Sequence, residues 1–416
     1  MGVSWQGRLI LHTMFAAIKS PSRKHGMNIL MMADFVLNPD SGAAGTEYQA
    51  VEAVRRLGHV VDTVWADSIP HRITNGNLHY LIELPVAFKA EMLSRMRNSH
   101  YDVIHVSQPH GFLAAKVLAE QGGRSVFIHR SQGLELRAER DLAKWLQEYG
   151  YKDLRPWGRI QVSRMISALL ARHGRAIAKY ASGHIVSASD CSRFLSEELD
   201  VPSERIAVIP QAAPPLYIEK PAPAMTPERL SRLLFVGQHA FFKAPMIVAA
   251  VLNQVIESDD NLSATWVTSK AAHGEVHNLL NENVRARVTL LDWMPQQELI
   301  DIYDSHGIFL FPSFFEGFGK VFVEAMARGL CVIAADNSAA KDVISHGRSG
   351  LLVPTGDIAA MIGMCIDLLE SAKQAQALSQ QAATRAREYT WDRVARETVA
   401  FYQSRLEANG PSLTPA

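Results

Sequence analysis

An apolar run at 27–32, broken only by Asn28, has the length of a β-strand and no alternating polar positions, the pattern of a strand covered on both faces. Behind it the period changes. Val51, Val54 and Leu57 recur at helical spacing, with Thr46 placed to cap that helix and Gly58 to end it. The segment 60–65 reads as the next strand and completes strand, helix, strand, and the alternation returns at 103–106, 126–128 and 184–187. Such alternation predicts a parallel sheet with helices on both faces. Six prolines at positions 210, 214, 215, 221, 223 and 227 then break the pattern, which reads as a linker. A second series of apolar runs follows at 233–236, 265–268, 288–291, 308–311, 332–335 and 351–353, with helical patterns between them. The segment 357–388, rich in Ala, Gln and Arg, reads as one or two helices.

The expected fold class is therefore α/β, with two tandem doubly wound, Rossmann-like domains facing a central cleft. In open α/β folds ligands bind at the carboxyl ends of the strands, which both sheets would present to that cleft. The expected divisions are a leader or extension at 1–26, a first domain at 27–213, a linker at 214–230, a second domain at 231–388 and a tail at 389–416.

Length and composition narrow the class further. At roughly 100–200 residues per domain, 416 residues suit two domains. Hydrophobic residues make up 48% and charged residues 20%, enough apolar material for each domain to build a core, which excludes bulk disorder. Forty-two basic side chains balance forty-two acidic ones, so no whole-chain field draws the protein to nucleic acid or to an anionic surface. Cys191, Cys331 and Cys365 are odd in number and far apart, which argues against a disulfide scaffold or structural zinc and for a reducing compartment. The apolar stretch 9–17 is too short to span a bilayer and lacks an evident cleavage site. A cytoplasmic protein is expected.

The most informative stretch is FPSFFEGFGKVFVEAMARGLCVIAAD at 311–336. An apolar strand ends at Pro312, a loop carries Glu316, Gly317, Phe318 and Gly319, and a helix starts near Lys320 and stops at Gly329. Glu316 then sits in the loop at the helix mouth and Glu324 about one turn inside, both able to face one cleft. The glycines admit close backbone approach, and free N–H groups at a helix start favour an anion such as phosphate. Ionised carboxylates accept hydrogen bonds from vicinal hydroxyls. Together these features suit a sugar nucleotide. The plain alternative is a solvated loop carboxylate and an exposed helix residue.

Three further segments carry candidate chemistry. In LLFVGQHAFFK at 233–243, a buried strand ends at Gly237, Gln238 follows, and Lys243 can reach a diphosphate as a mobile point charge. In Ser41-Gly42-Ala43-Ala44-Gly45-Thr46, Gly42 and Gly45 precede a helix and make either an anion cradle or a flexible turn. In VFIHRSQGLELR at 126–137, His129 ends a strand and Gln132 lies in the following loop; His110 occupies a similar loop at 107–111. A histidine at a strand end is also an ordinary structural residue.

The 312–329 stretch resembles the retaining GT-B glycosyltransferases of family four, whose E-x7-E motif follows a P-S-x-x-E-G-F-G loop and precedes E-A-M-A-x-G. RIAVIPQ at 205–211, SGLLVPTGD at 349–357 and YTWDRV at 389–394 resemble other segments of that family, over about residues 27–405. The resemblance implies that Glu316 touches the donor hexose, that Glu324 holds the nucleotide ribose, and that the Gly317, Phe318, Gly319 and Lys320 backbone supports sugar and phosphates. It implies Lys243 on the diphosphate, with Gln238 in the place of a customary arginine and Gln132 in the place of a histidine beside the reacting sugar. His129 or His110 are the candidates to serve in that histidine's stead, and Gly42 and Gly45 would face the acceptor. The tail helix would cross back onto the first domain.

The basic stretch 151–180 holds seven Lys or Arg residues against Asp153 alone, with Val162, Met165, Ile166, Leu169 and Leu170 at helical spacing. It reads first as a sheet-covering helix with a solvated basic face, and otherwise as a helix lying on an anionic membrane. The expected activity is transfer of a hexose from a UDP- or GDP-sugar to a hydroxyl of a glycan or lipid-linked acceptor, with retention. Such a route needs no resident cofactor and no metal. The partners expected are the nucleotide sugar, the acceptor and the inner face of a membrane as a peripheral contact, but not nucleic acid. The competing class is a catalytically impaired sugar-nucleotide-binding protein acting in a complex. A nicotinamide-dependent dehydrogenase lacks its G-x-G-x-x-G after any strand.

Overall fold

The computed structural model describes residues 26–38, 42–150 and 157–410. The expected leader up to residue 25, Ser41 and the start of the basic stretch at 151–156 lie outside the described residues. Two six-stranded sheets, each wholly parallel, follow one another along the chain. The first is built from β1 (Asn28–Met32), β2 (Val60–Val64), β3 (Val103–Val106), β4 (Val126–Arg130), β5 (Gly183–Val186) and β6 (Ile206–Val208), in the order β2-β1-β3-β4-β5-β6. The second is built from β7 (Arg232–Val236), β8 (Ser263–Val267), β9 (Val288–Leu291), β10 (Ile308–Phe311), β11 (Cys331–Ala335) and β12 (Leu351–Val353), in the order β12-β11-β10-β7-β8-β9. The architecture is α/β, as the alternation of apolar runs implied.

Central strands β3, β4, β5, β10 and β11 are buried at every position, because helices cover both faces. Alternation then decides which face each side chain joins. Ile29 and Met31 of β1 pack with the helix Ala43–Arg56 and with Val394, Val399, Phe401 and Tyr402 of the tail helix Trp391–Asn409, while Leu30 and Met32 pack with Phe88, Met92 and Ile177 on the other side. The tail helix therefore lies on the first sheet, held also by Arg56 on Asp392 at 2.9 Å and by Asn409 Nδ2 donating to the Gly123 carbonyl at 2.9 Å.

Two local expectations change. The helix predicted to be capped by Thr46 starts at Ala43, with Gly42 as its N-cap; the Thr46 hydroxyl donates back to the Gly42 carbonyl at 2.8 Å. Gly45 thus lies inside the first turn rather than in a loop. The stretch 214–230 is not an open linker: it carries the short helices Pro215–Glu219 and Pro227–Leu230. The buried Arg328 guanidinium donates to the Tyr217, Lys220 and Pro221 carbonyls and pairs with Asp304 at 2.7 Å, fixing this segment to the second domain.

Strand order locates the clefts. It reverses between β1 and β3 in the first sheet and between β7 and β10 in the second, and such switch points open a crevice at the carboxyl ends of the strands.

Candidate active site

The second sheet's switch point places two loops side by side: Gly237 to Lys243 after β7, and Pro312 to Gly319 after β10. Phe314 N–H donates to the Phe242 carbonyl at 2.8 Å and ties them together. Lys243 Nζ lies 2.5 Å from Glu316 Oε1, with side-chain exposures of only 14% and 8%. Ser313 Oγ donates to the same Glu316 oxygen at 2.9 Å, and Glu316 N–H donates to Ser338 Oγ at 3.2 Å. Glu316 and Lys243, assigned from sequence to separate parts of one ligand, are each other's partners here.

Gly319 has φ +83, and a Cβ there would stand 2.4 Å from the Phe311 ring, so glycine is required where the chain turns into the helix Lys320–Ala327. Glu324 lies one turn inside that helix. It is buried, and its Oε2 accepts from the Tyr303 hydroxyl at 3.1 Å. Burial raises the Glu324 pKa, opposed by the nearby Lys320 charge and by the Tyr303 bond. Gly237 is buried beside Lys243, whereas Gln238 is exposed. Phe318 is 2% exposed and packs on Phe322; its side chain belongs to the core, leaving only its backbone for a ligand.

The first domain supplies the opposite wall. Gln132 Nε2 donates to Glu47 Oε1, and Gln132 Oε1 accepts from Gln211 Nε2 at 3.2 Å. Thr46 Oγ also lies 3.1 Å from Gln211 Oε1, which places the start of the helix Ala43–Arg56 beside the same network. A Cβ at Gly317 would come within 1.7 Å of the Gln132 carbonyl oxygen, so the two loops meet backbone to backbone across the domain boundary. Ser189 N–H and Oγ donate to Asp342 at 2.7 and 2.6 Å, and Ser338 N–H donates to Asp190 at 3.2 Å, holding the walls together. Beneath Gln132, Glu47 is buried 4.0 Å from Arg130, and burial raises the Glu47 pKa.

The histidine alternatives lie elsewhere. His129 is buried in β4 against His184, the ring nitrogens 3.2 Å apart, and burial pushes its pKa down to about 4. It does not reach the Glu47–Gln132 network, because strand alternation turns it to the opposite face from Arg130. His110 meets His173 at 3.2 Å and stacks on Tyr80 at the first sheet's own switch point. Gly42 opens the helix facing that region, with open space where a Cβ would stand.

Sequence reading missed Glu47, Arg130, Tyr303, Ser338 and Asp190. The first two left a signal, adjoining Thr46 and opening the Arg130-Ser131-Gln132-Gly133 segment. Tyr303 left none, since it reaches Glu324 from another helix, Gln296–Asp304.

Residues 231–371 match the family described as Glycosyl transferases group 1. The D-inositol 3-phosphate glycosyltransferase of Corynebacterium aurimucosum is 27% identical over 245 residues, 55% of this chain and 58% of the relative. The enzyme of the same name from Corynebacterium glutamicum is 25% identical over 78% of each chain. The first of these and two further relatives of the same name, from Corynebacterium efficiens and Thermobispora bispora, are matched over only 43–58% of their own length, so this chain spans about half of them. Among solved structures, sucrose-phosphate synthase from Thermosynechococcus elongatus superposes with a TM-score of 0.72 at 18% identity, covering 92% of this chain and all of that one. Anabaena HepE in complex with UDP-glucose gives 0.64 at 16% identity, covering 90% and 99%. At those identities the likeness is one of fold. The two parallel sheets form a GT-B fold, and residues 231–371 within it match the Glycosyl transferases group 1 family.

Proposed function

We propose that this chain transfers a hexose from a UDP- or GDP-sugar to a hydroxyl of a glycan or lipid-linked acceptor, with retention of configuration. The observation that carries the reading is the Glu316–Lys243 pair at the second switch point, with Glu324 one turn behind it. Donor entry would divide that pair: Lys243 turns to the diphosphate and Glu316 to the hexose hydroxyls, each exchanging one partner for another. The N–H groups at the start of the helix Lys320–Ala327 add to the field on the phosphates. Glu324, held by Tyr303 through one oxygen, offers the other to the ribose hydroxyls. Gln132 supplies an amide to a sugar hydroxyl from the opposite wall but no titratable proton.

In this reading the departing phosphate helps to deprotonate the acceptor hydroxyl on the same face of the sugar. No carboxylate nucleophile is needed, nor a metal on the diphosphate. Rate comes from positioning and from stabilising the charge that develops on the leaving group. The UDP-glucose in the HepE complex supports a nucleoside diphosphate donor, and the relatives named for D-inositol 3-phosphate add a phosphorylated polyol to the acceptors worth testing. Among the described residues no helix is long and apolar enough to cross a membrane. The helix Trp157–Tyr180 does turn Trp157, Val162 and Met165 to solvent at 77%, 52% and 58% exposure, beside Arg159 and Arg164, which supports peripheral contact with an anionic membrane surface.

The test is a panel of UDP- and GDP-sugars, read first by thermal shift and then by product formation. A donor that raises the melting temperature and is consumed with transfer supports the proposal. Binding with neither hydrolysis nor transfer would establish the impaired binding protein instead.

A further inference from the structure

At the first sheet's switch point, Asp34 follows β1 while His71 and His79 come from the connection after β2. His71 Nε2 lies 3.1 Å from one Asp34 oxygen and His79 Nε2 lies 3.5 Å from the other. The two imidazoles stack with centroids 4.3 Å apart, so both address the same carboxylate. One donor atom from each residue lies within 4.8 Å of the other two. Proximity here does not mean hydrogen bonding: Asp34 Oδ1 and His79 Nε2 are buried with no hydrogen-bond partner, and His79 is only 3% exposed. A buried polar atom left without a partner is costly, so this arrangement calls for something between the three.

A metal ion meets that demand. With bonds of about 2.0–2.1 Å, ligand atoms of a tetrahedral site stand roughly 3.3 Å apart. Whichever Asp34 oxygen serves, its distance to one histidine, 3.1 Å from His71 or 3.5 Å from His79, is close to that edge, and all three ligand atoms lie within 4.8 Å of one another. The outer contacts are also those of a metal centre. Glu83 Oε2 lies 2.9 Å from His79 Nδ1, directing the lone pair of Nε2 inward. The same carboxylate accepts the N–H groups of Arg72 and Ile73 at 2.9 and 3.0 Å, fixing the loop that bears His71. Gln108 accepts the Asp34 N–H at 2.9 Å and so fixes the third residue.

We propose that Asp34, His71 and His79 bind a divalent transition-metal ion of the zinc class, positioned by Glu83, with a coordination site left open toward the switch-point crevice of the first sheet. Two imidazoles and one carboxylate select zinc or cobalt over magnesium or calcium. The His71 side chain is 47% exposed, so the ion is reached from solvent. The switch-point crevice is where an oxygen of an incoming ligand would complete its shell. The site is separate from the Glu316–Lys243 pair and does not depend on the transfer reading.

The test strips the full chain with chelator and titrates it with Zn²⁺, Co²⁺ and Mg²⁺, reading metal content after desalting, melting temperature and the visible cobalt spectrum. One equivalent of Zn²⁺, a raised melting temperature and no retained Mg²⁺ are expected. His71→Ala removes a half-exposed side chain and should abolish retention of Zn²⁺ while leaving the metal-free melting temperature unchanged. Glu83→Gln should weaken Zn²⁺ binding about 10–100-fold and alter the cobalt spectrum. Should His71→Ala fail to fold, Asp34→Asn under the same readouts decides. No stoichiometric Zn²⁺, equal retention by wild type and variant, or Mg²⁺ held as tightly as Zn²⁺ would each overturn the proposal.

Discussion

Glu316 and Glu324 share a motif but not an environment. Glu316 meets a lysine and a serine at the domain boundary, while Glu324 is buried behind it with Tyr303 as its hydrogen-bond partner. Their substitutions should therefore differ in kind. On the proposed reading Glu324→Ala would leave ribose hydroxyls unpaired and weaken donor binding by about 1–3 kcal/mol, read by calorimetry with the donor found in the panel. An unchanged dissociation constant would remove Glu324 from the site. Glu316→Gln keeps the shape but loses the charge, and should lower turnover more than donor affinity; equal losses would mean that it contacts only the ground state. At this scale the sequence was informative where one segment held the whole pattern, as in 311–336. It was silent on Tyr303 and Ser338, whose hydroxyls reach the two glutamates from other elements.

Two loops from different domains touch at one glycine, and that contact sets how the walls of the cleft meet. Gly317→Ala would drive a methyl into the Gln132 carbonyl, and the backbone on either side offers no flexible end that could yield. The variant should bind donor within about threefold of wild type yet lose about 10²-fold in turnover, since a displacement near 1 Å at the reacting centre costs that much. A turnover close to wild type would show that the walls do not need this approach. Element boundaries explain the other departures. Strand β6 escaped the apolar pattern because it is three residues long with Val208 38% exposed, an edge strand with one neighbour. The helix expected to be capped by Thr46 began earlier because Gly42 could serve as its N-cap.

Across the whole molecule, several histidines are sealed in the fold as neutral rings. Burial pushes His129 and His306 down to about 4 and holds His184 well below the ordinary imidazole value. The unfolded chain takes up these protons below its ordinary value of 6.5, whereas the folded chain does not. Stability is therefore full above pH 6.5, declines toward pH 4 and levels off below the folded values. Buried His129 alone contributes up to about 3 kcal/mol of that decline, partly offset by Glu47 and Glu324, whose raised pKa values favour proton uptake by the fold. Urea unfolding at pH 7 and pH 4.5 measures it, and His129→Asn should reduce the slope by up to about one proton; an unchanged slope would place the titration elsewhere. The sequence by itself determined what depends on neighbours along the chain: the alternation of strand and helix, the paired α/β domains, and the carboxylates of one loop and helix. The tertiary structure decided what depends on partners far apart in sequence. It turned Lys243 onto Glu316, set Gln132 against Gly317, buried His129 away from the cleft and gathered Asp34, His71 and His79 around one point. The reason is that period and propensity act over a few residues, whereas burial and charge pairing are fixed only when the sheets close and distant segments share a crevice.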